Sequence, residues 1–443
     1  MLTIISLINI ALLVIFVIID YRHDKDHFSA VKISSYFLFL PAVGLFLSSF
    51  SSIFFASQFL ESITIEYWNT EYIKYAYFLF TINIFFSILG TMLGSNSNTI
   101  ILPKVTTFFF YNKINNINTL ARFCFLFGII LYVIFIFKIG GLINLWENSY
   151  LRTQLTAGLG YYQVLYTFFL NIACCLSLTS KPKPIKNFEF IIYLVITVFV
   201  LVSLLQRSPV ITLLFALIVT YNFSMKPVKL KIGFFNFILL SFLLIFTAYT
   251  SEFRGEEITI DKVMSKNPSE LIVKNVFSRL TPIDRYIVSV GYVDKYEYWY
   301  GSSYLGLLTS FIPRGLYPDK PPIDTGVYIE YMKTGEEVNL PLDSDKIPVS
   351  SSPPGILSGY LNFGIVGIIS LSFISGFVFG YIYFLVKHYQ NILLTIFFGL
   401  VSFMGYIPLS PMGIVKLAML VLSFGLFSIF VMMNNILYNR GSN

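Results

Sequence analysis

Arg152, Arg207, Arg254, Arg279, Arg285, Arg314 and Lys320 are the residues of this chain best suited to holding an anion. A guanidinium stays charged at physiological pH, and its forked donors match phosphate oxygens. Arg207 sits in the turn Gln206-Arg207-Ser208-Pro209, and Arg254 follows an apolar run, so both are expected close to membrane ends. That position also suits an arginine that only anchors a helix end or reaches a headgroup. Arg314 and Lys320 belong to Phe311–Pro322, where four prolines fix the backbone. A rigid segment of this kind presents charge to an anion at small entropic cost, or serves as a structural strap.

Proton transfer needs a different set. The three histidines, His23, His27 and His388, fall on loops assigned below to the cytoplasm. A base on the opposite side is therefore expected to be a carboxylate, a tyrosine or the substrate itself, with Glu252, Asp284 and Glu297 as candidates. Asp284 has a second reading. In Arg279–Gly291 it stands three residues after Thr281, with Pro282 between, as in a capping box that opens a short helix ending at Gly291. Glu297 lies in Tyr296-Glu297-Tyr298-Trp299-Tyr300, with Tyr304 nearby. Such rings suit either stacking on sugar faces or an interfacial aromatic belt. Asp343-Ser344-Asp345 is a lone DxD, and no HExxH, CxxC or clustered ligand set accompanies it. No metal or other cofactor is expected.

The elements that position these residues are membrane helices. Charged residues make up 12% of the chain and hydrophobic ones 56%, against about 25% charged in a soluble domain. No soluble fold hides that much apolar surface, so a cytosolic enzyme, a nucleic-acid binder and a secreted scaffold are excluded. Runs of about 20 apolar residues predict eleven spans: 2–19, 34–56, 75–94, 120–139, 161–179, 188–205, 210–224, 233–250, 356–386, 392–408 and 413–433. The first lacks the basic region and cleavage site of a signal peptide and is read as retained. Cys124, Cys174 and Cys175 fall within apolar runs, so no disulfide framework is expected.

Alternation of the loops places fourteen Lys and Arg on one side and four (Lys74, Lys138, Arg152, Arg207) on the short loops opposite. The positive-inside rule puts the fourteen in the cytoplasm. The N-terminus then faces out and the C-terminus in. Three parts follow: helices one to eight in 1–250, a large outer loop at 251–352, and three helices with a cytoplasmic tail in 353–443. The outer loop holds eleven basic and fifteen acidic residues, nearly half of the charge in the protein, and loops of this length are usually functional or disordered. Gly355/Gly359 and Gly376/Gly380 have the small-xxx-small spacing of closely packed membrane helices. Lys416, near the outer end of the last span, has either a functional or a snorkelling role.

In layout the chain resembles the Wzy-type oligosaccharide repeat-unit polymerases of bacterial envelopes. The residues that carry the resemblance are Gly140-Gly141 followed by Arg152, Arg207 between two helices, Ile312-Pro313-Arg314 with Lys320-Pro321, and Tyr360-Leu361-Asn362-Phe363-Gly364 with Gly367. Gln206 departs from the pattern, where a small residue is expected. The resemblance implies an all-α, GT-C-like integral-membrane glycosyltransferase of the bacterial cytoplasmic membrane, metal-independent and acting at its outer face. Its partners would be undecaprenyl-diphosphate-linked glycans as donor and acceptor, membrane lipid and a chain-length-regulating co-polymerase, with no nucleic acid. Arg207, Arg254 and Arg314 would then stabilise the departing diphosphate, and Arg152 and Arg279 would position it or the acceptor. The alternatives are an O-antigen ligase, against which the lack of an outer histidine counts, a lipid-linked oligosaccharide flippase or other transporter, and a passive assembly partner.

Overall fold

The computed structural model describes residues 1–50, 69–96, 116–148, 155–156, 158–182, 187–204, 208–228, 283–312, 316–317, 320–340, 342, 355–402, 407 and 409–441, without the side chains of 47, 48, 50 and 433–441. The described residues form helices α1 (Leu2–His23), α2 (Ala30–Phe50), α3 (Thr70–Ser95), α4 (Ile117–Lys138), α5 (Leu142–Glu147), α6 (Gly160–Thr179) and α7 (Phe188–Ser203). These are followed by α8 (Ser208–Ser224), α9 (Ile283–Lys295), α10 (Ser302–Thr309), α11 (Thr325–Met332), α12 (Leu357–Tyr389), α13 (Ile392–Ser402) and α14 (Pro411–Gly441). Helices α1, α3, α4, α6, α12 and α14 are long and apolar enough to cross a bilayer, and α2, α7, α8 and α13 are shorter apolar helices. The chain is a helical membrane protein. The expected runs 2–19, 75–94, 120–139, 161–179, 356–386 and 413–433 overlap the six helices of spanning length, the runs 34–56, 188–205, 210–224 and 392–408 overlap the four shorter ones, and the run 233–250 lies outside the described residues.

The tightest helix pair is α3 with α12. A Cβ on Gly376 would meet the Ser87 carbonyl oxygen and fall 2.9 Å from Thr91 Oγ1, and one on Gly380 would meet the Thr91 carbonyl. From the other side, a Cβ on Gly90 or Gly94 would meet the Phe373 or Phe377 carbonyl. The partner numbers rise together, so the two helices run parallel. Close backbone approach of this kind is what holds helices together where lipid removes the hydrophobic drive between them.

Helix α12 is broken near its start. Phe363 (φ −138°, ψ 16°) and Gly364 (φ 62°, ψ −145°) leave helical geometry, and Gly364 takes the left-handed region open to a residue without Cβ. Residues 357–362 fold back on the main helix, where a Cβ on Gly359 would fall 2.6 Å from the Gly367 carbonyl oxygen. The run 356–386 is therefore not one continuous rod. Gly359 packs against its own helix across the break.

The ends of the helices gather in two groups. At one end the α1–α2 turn meets the C-terminal ends of α8 and α12. Asp24 accepts from Tyr383 Oη at 2.5 Å and from Lys387 Nζ at 2.9 Å, and Asp26 accepts from Asn222 Nδ2 at 3.0 Å. Lys32 is 1% exposed. Its ammonium donates to the carbonyls of Asp24 and Asp26 and pairs with Asp20 at 3.3 Å. Burying that charge is tolerated because its donors are used. Burial works against ionised Asp24, but the bonds from Tyr383, Lys387 and the Asp26 N–H outweigh it, and the carboxyl lies below the usual Asp value of 3.8. A lowered folded-state pKa contributes stability that is present at neutral pH and lost as pH falls through it. Thermal unfolding in detergent should therefore show wild-type stability dropping below about pH 4, whereas Asp24→Asn should melt lower at pH 7 and lose less on acidification.

Away from that turn, Arg122 and Glu189 pair at 2.5 Å on the exposed starts of α4 and α7, and Lys416 is exposed. Cys124, Cys174 and Cys175 are buried thiols.

Candidate functional site

At the opposite end of the bundle a cavity of about 630 Å³ opens between α1, α3, α9 and the start of α12. Its wall is built from helical stripes. Glu71, Tyr72, Lys74, Tyr75 and Phe78 lie along the first turns of α3, which Asn69 caps by accepting from the Glu71 N–H at 3.0 Å. Val290, Val293 and Asp294 come from the last turns of α9, Tyr298 from the strand of chain that follows, and Tyr360 from the folded-back start of α12.

Helix α9 reaches this place by packing alongside α3. Tyr72 Oη donates to Asp294 Oδ2 at 2.5 Å at one end, and Asn83 Nδ2 donates to Tyr286 Oη at 3.4 Å further along. Numbers rise on one helix as they fall on the other, so the pair is antiparallel. From Tyr72 to Asn83 the contact extends roughly 16 Å along α3, at 1.5 Å per residue. A helix expected in an outer loop is thus a member of the bundle. It continues through Gly291 to Lys295 instead of ending at Gly291, because Ile283 and Tyr286–Tyr292 are buried on nearly every side.

The aromatic run after α9 divides its rings. Tyr298 packs edge-on to Tyr360 at 6.2 Å between centroids, and Tyr360 meets Tyr75 at the same distance. Trp299 turns the other way, buried against Tyr292 and Tyr328. Tyr300 is exposed at φ 47°, and Tyr304 Oη donates to the Leu409 carbonyl. Asn362, fully buried, staples the run to α12. Its Oδ1 accepts from Gly301 N–H at 3.0 Å, and its Nδ2 donates to Ser303 Oγ at 2.8 Å and the Ser358 carbonyl at 2.6 Å. The backbone N–H groups of Trp299 and Tyr300 donate to the carbonyls of Leu361 and Asn362. Asn362 thereby sets where Tyr298 and Tyr360 stand.

Two carboxylates, Glu71 and Asp294, and four tyrosines supply the polar wall. Lys74 is paired with Glu71 at 2.6 Å, and Met1 with its amino group also lines the cavity. Phenol rings, phenol hydroxyls and carboxylates suit a polyhydroxylated ligand. Neither Glu71 nor Asp294 was singled out from the sequence. Nothing local marks them, and Asp294 acquires its setting only when α9 lies beside a helix more than 200 residues earlier.

Of the residues expected at a site, Arg152, Arg207, Glu252, Arg254, Arg279 and Arg314 lie outside the described residues, as does the Asp343–Asp345 motif. Asp284 stands in the first turn of α9, with Lys333 Nζ at 3.6 Å and Arg285 Nε at 4.0 Å, and Lys333 also pairs with Glu330 at 3.0 Å. It is at the far end of α9 from the cavity. Glu297 is exposed beside the cavity and does not line it. Lys320 is buried, and its ammonium donates to the carbonyls of Ser310 at 2.7 Å and Ile312 at 3.0 Å. In that position its ammonium ties residue 320 back to the turn at Ser310 and Ile312. The chain matches no known family model, no curated protein and no solved structure.

Proposed function

We propose that the protein is a polymerase that joins undecaprenyl-diphosphate-linked oligosaccharide units into a surface polysaccharide at the outer face of the bacterial cytoplasmic membrane. The growing chain is the donor, and its reducing-end sugar moves to a hydroxyl of the next lipid-linked unit. The observation that carries this reading is the cavity at the end of the bundle assigned to the outer side. It is lined by tyrosines and carboxylates as a glycan site would be, and built partly by the helix and aromatic run of the long outer loop. The arginines supply the other half of the chemistry. Arg207, Arg254 and Arg314 hold the departing diphosphate, whose charge grows in the transition state, while Arg152 and Arg279 position it or the acceptor.

Removing one such contact costs about 10²–10³ in rate. Arg207→Ala and Arg314→Ala proteins, inserted in membranes at normal levels, should each elongate lipid-linked units more slowly by that factor. Wild-type elongation by both would remove the diphosphate assignment.

A further inference from the structure

Resting on that reading, we infer that the cavity receives the non-reducing sugar of the acceptor unit and that Asp294 is the base that takes the proton from its attacking hydroxyl. One carboxylate, Glu71, is paired with Lys74, whereas Asp294 makes no ion pair among the described residues. Four tyrosines in the lining suit a sugar, so the sugar is the part of the substrate placed here. The half-buried rings of Tyr75 and Tyr298, packed against buried Tyr360, provide faces for a pyranose, and the volume of about 630 Å³ accommodates a few sugar residues.

Within the cavity the Tyr72–Asp294 pair has the geometry of a base and its support. Tyr72 Oη donates to Oδ2 at 2.5 Å, which fixes the carboxylate on the last turn of α9 and directs proton acceptance to Oδ1. Tyr72 is a positioning residue. In the step itself the acceptor oxygen forms a bond to the donor's anomeric carbon. The bond from that carbon to the diphosphate oxygen breaks, the electron pair leaves with the diphosphate, and the hydroxyl proton passes to Asp294 and then to water. No redox partner is needed. This assignment takes the role of base away from Glu252, Asp284 and Glu297.

The test uses the full chain in proteoliposomes, supplied with lipid-linked repeat units extracted from cells that lack the protein. General-base removal costs about 10²–10⁴ in turnover. Asp294→Asn should therefore lose at least about 100-fold in kcat with KM nearly unchanged, and Tyr72→Phe should lose less in the same parameter. Tyr298→Ala should instead raise KM by roughly tenfold, as loss of a stacking face does. Glu297→Gln, outside the cavity lining, should elongate at the wild-type rate. The inference is overturned if Asp294→Asn, inserted and melting like wild type, elongates normally, or if its defect lies wholly in KM. Wild-type protein that elongates nothing overturns both this inference and the reading beneath it, whereas a defect confined to the arginine variants leaves that reading standing alone.

Discussion

Isoleucine at Gly376 or Gly380 is expected to leave almost no folded protein in the membrane. Each new Cβ would be placed against the carbonyl of Ser87 or Thr91, and these are backbone atoms of a helix that has no rotamer to change. Overpacking a core costs about 1–3 kcal/mol when side chains can shift. Here only separation of α3 from α12 relieves the clash, and that separation breaks the Gly90 and Gly94 contacts as well. It also uncouples Ser372 and Ser87, whose hydroxyls both donate to Asn83 Oδ1, at 3.3 and 2.9 Å, within the same interface. Fluorescence-detected size exclusion of the solubilised protein measures the outcome. Gly425→Ile is the control: a Cβ there meets nothing within 4 Å, so this variant should elute and melt as wild type.

The second large effect is expected at Asn362. Leucine in its place would leave the Gly301 N–H, the Ser358 carbonyl and the Ser303 hydroxyl without the partner they now share. An unsatisfied buried group costs about 1–3 kcal/mol, so Asn362→Leu should lower stability by roughly 3 kcal/mol in sum. Asn362→Asp keeps the acceptor for Gly301 and loses both amide donations, and it should be affected less. The functional loss should exceed the thermal one. Tyr298 and Tyr360 are placed by this staple, so elongation should fail even at temperatures where the variant remains folded. Measuring elongation and unfolding on the same preparation separates the two losses.

Hydropathy made the helices legible because each apolar run signals its own length and composition. The Gly376/Gly380 spacing was equally plain, but the matching Gly90 and Gly94 became meaningful only once the two helices were paired. What depends on position in three dimensions was hidden. Lys32 counts as one more positive charge until the α1–α2 turn closes round its ammonium. Helix α9 carries an ordinary amphipathic pattern on one side, and its burial on nearly every side comes from insertion beside α3. Lys320 lies in a segment whose prolines advertise rigidity, yet whether its ammonium points to a ligand or back to the chain depends on the carbonyls of Ser310 and Ile312. Asp294 has no local signature at all, and a long-range contact with Tyr72 defines it.

Chain growth is the claim on which the rest depends, and deletion of the gene tests it most directly. Polysaccharide from the deleted cells, resolved by size, should collapse from a ladder to a single repeat unit on its acceptor, and the full chain supplied in trans should restore the ladder. A ladder that persists unchanged in the deleted cells would contradict the account.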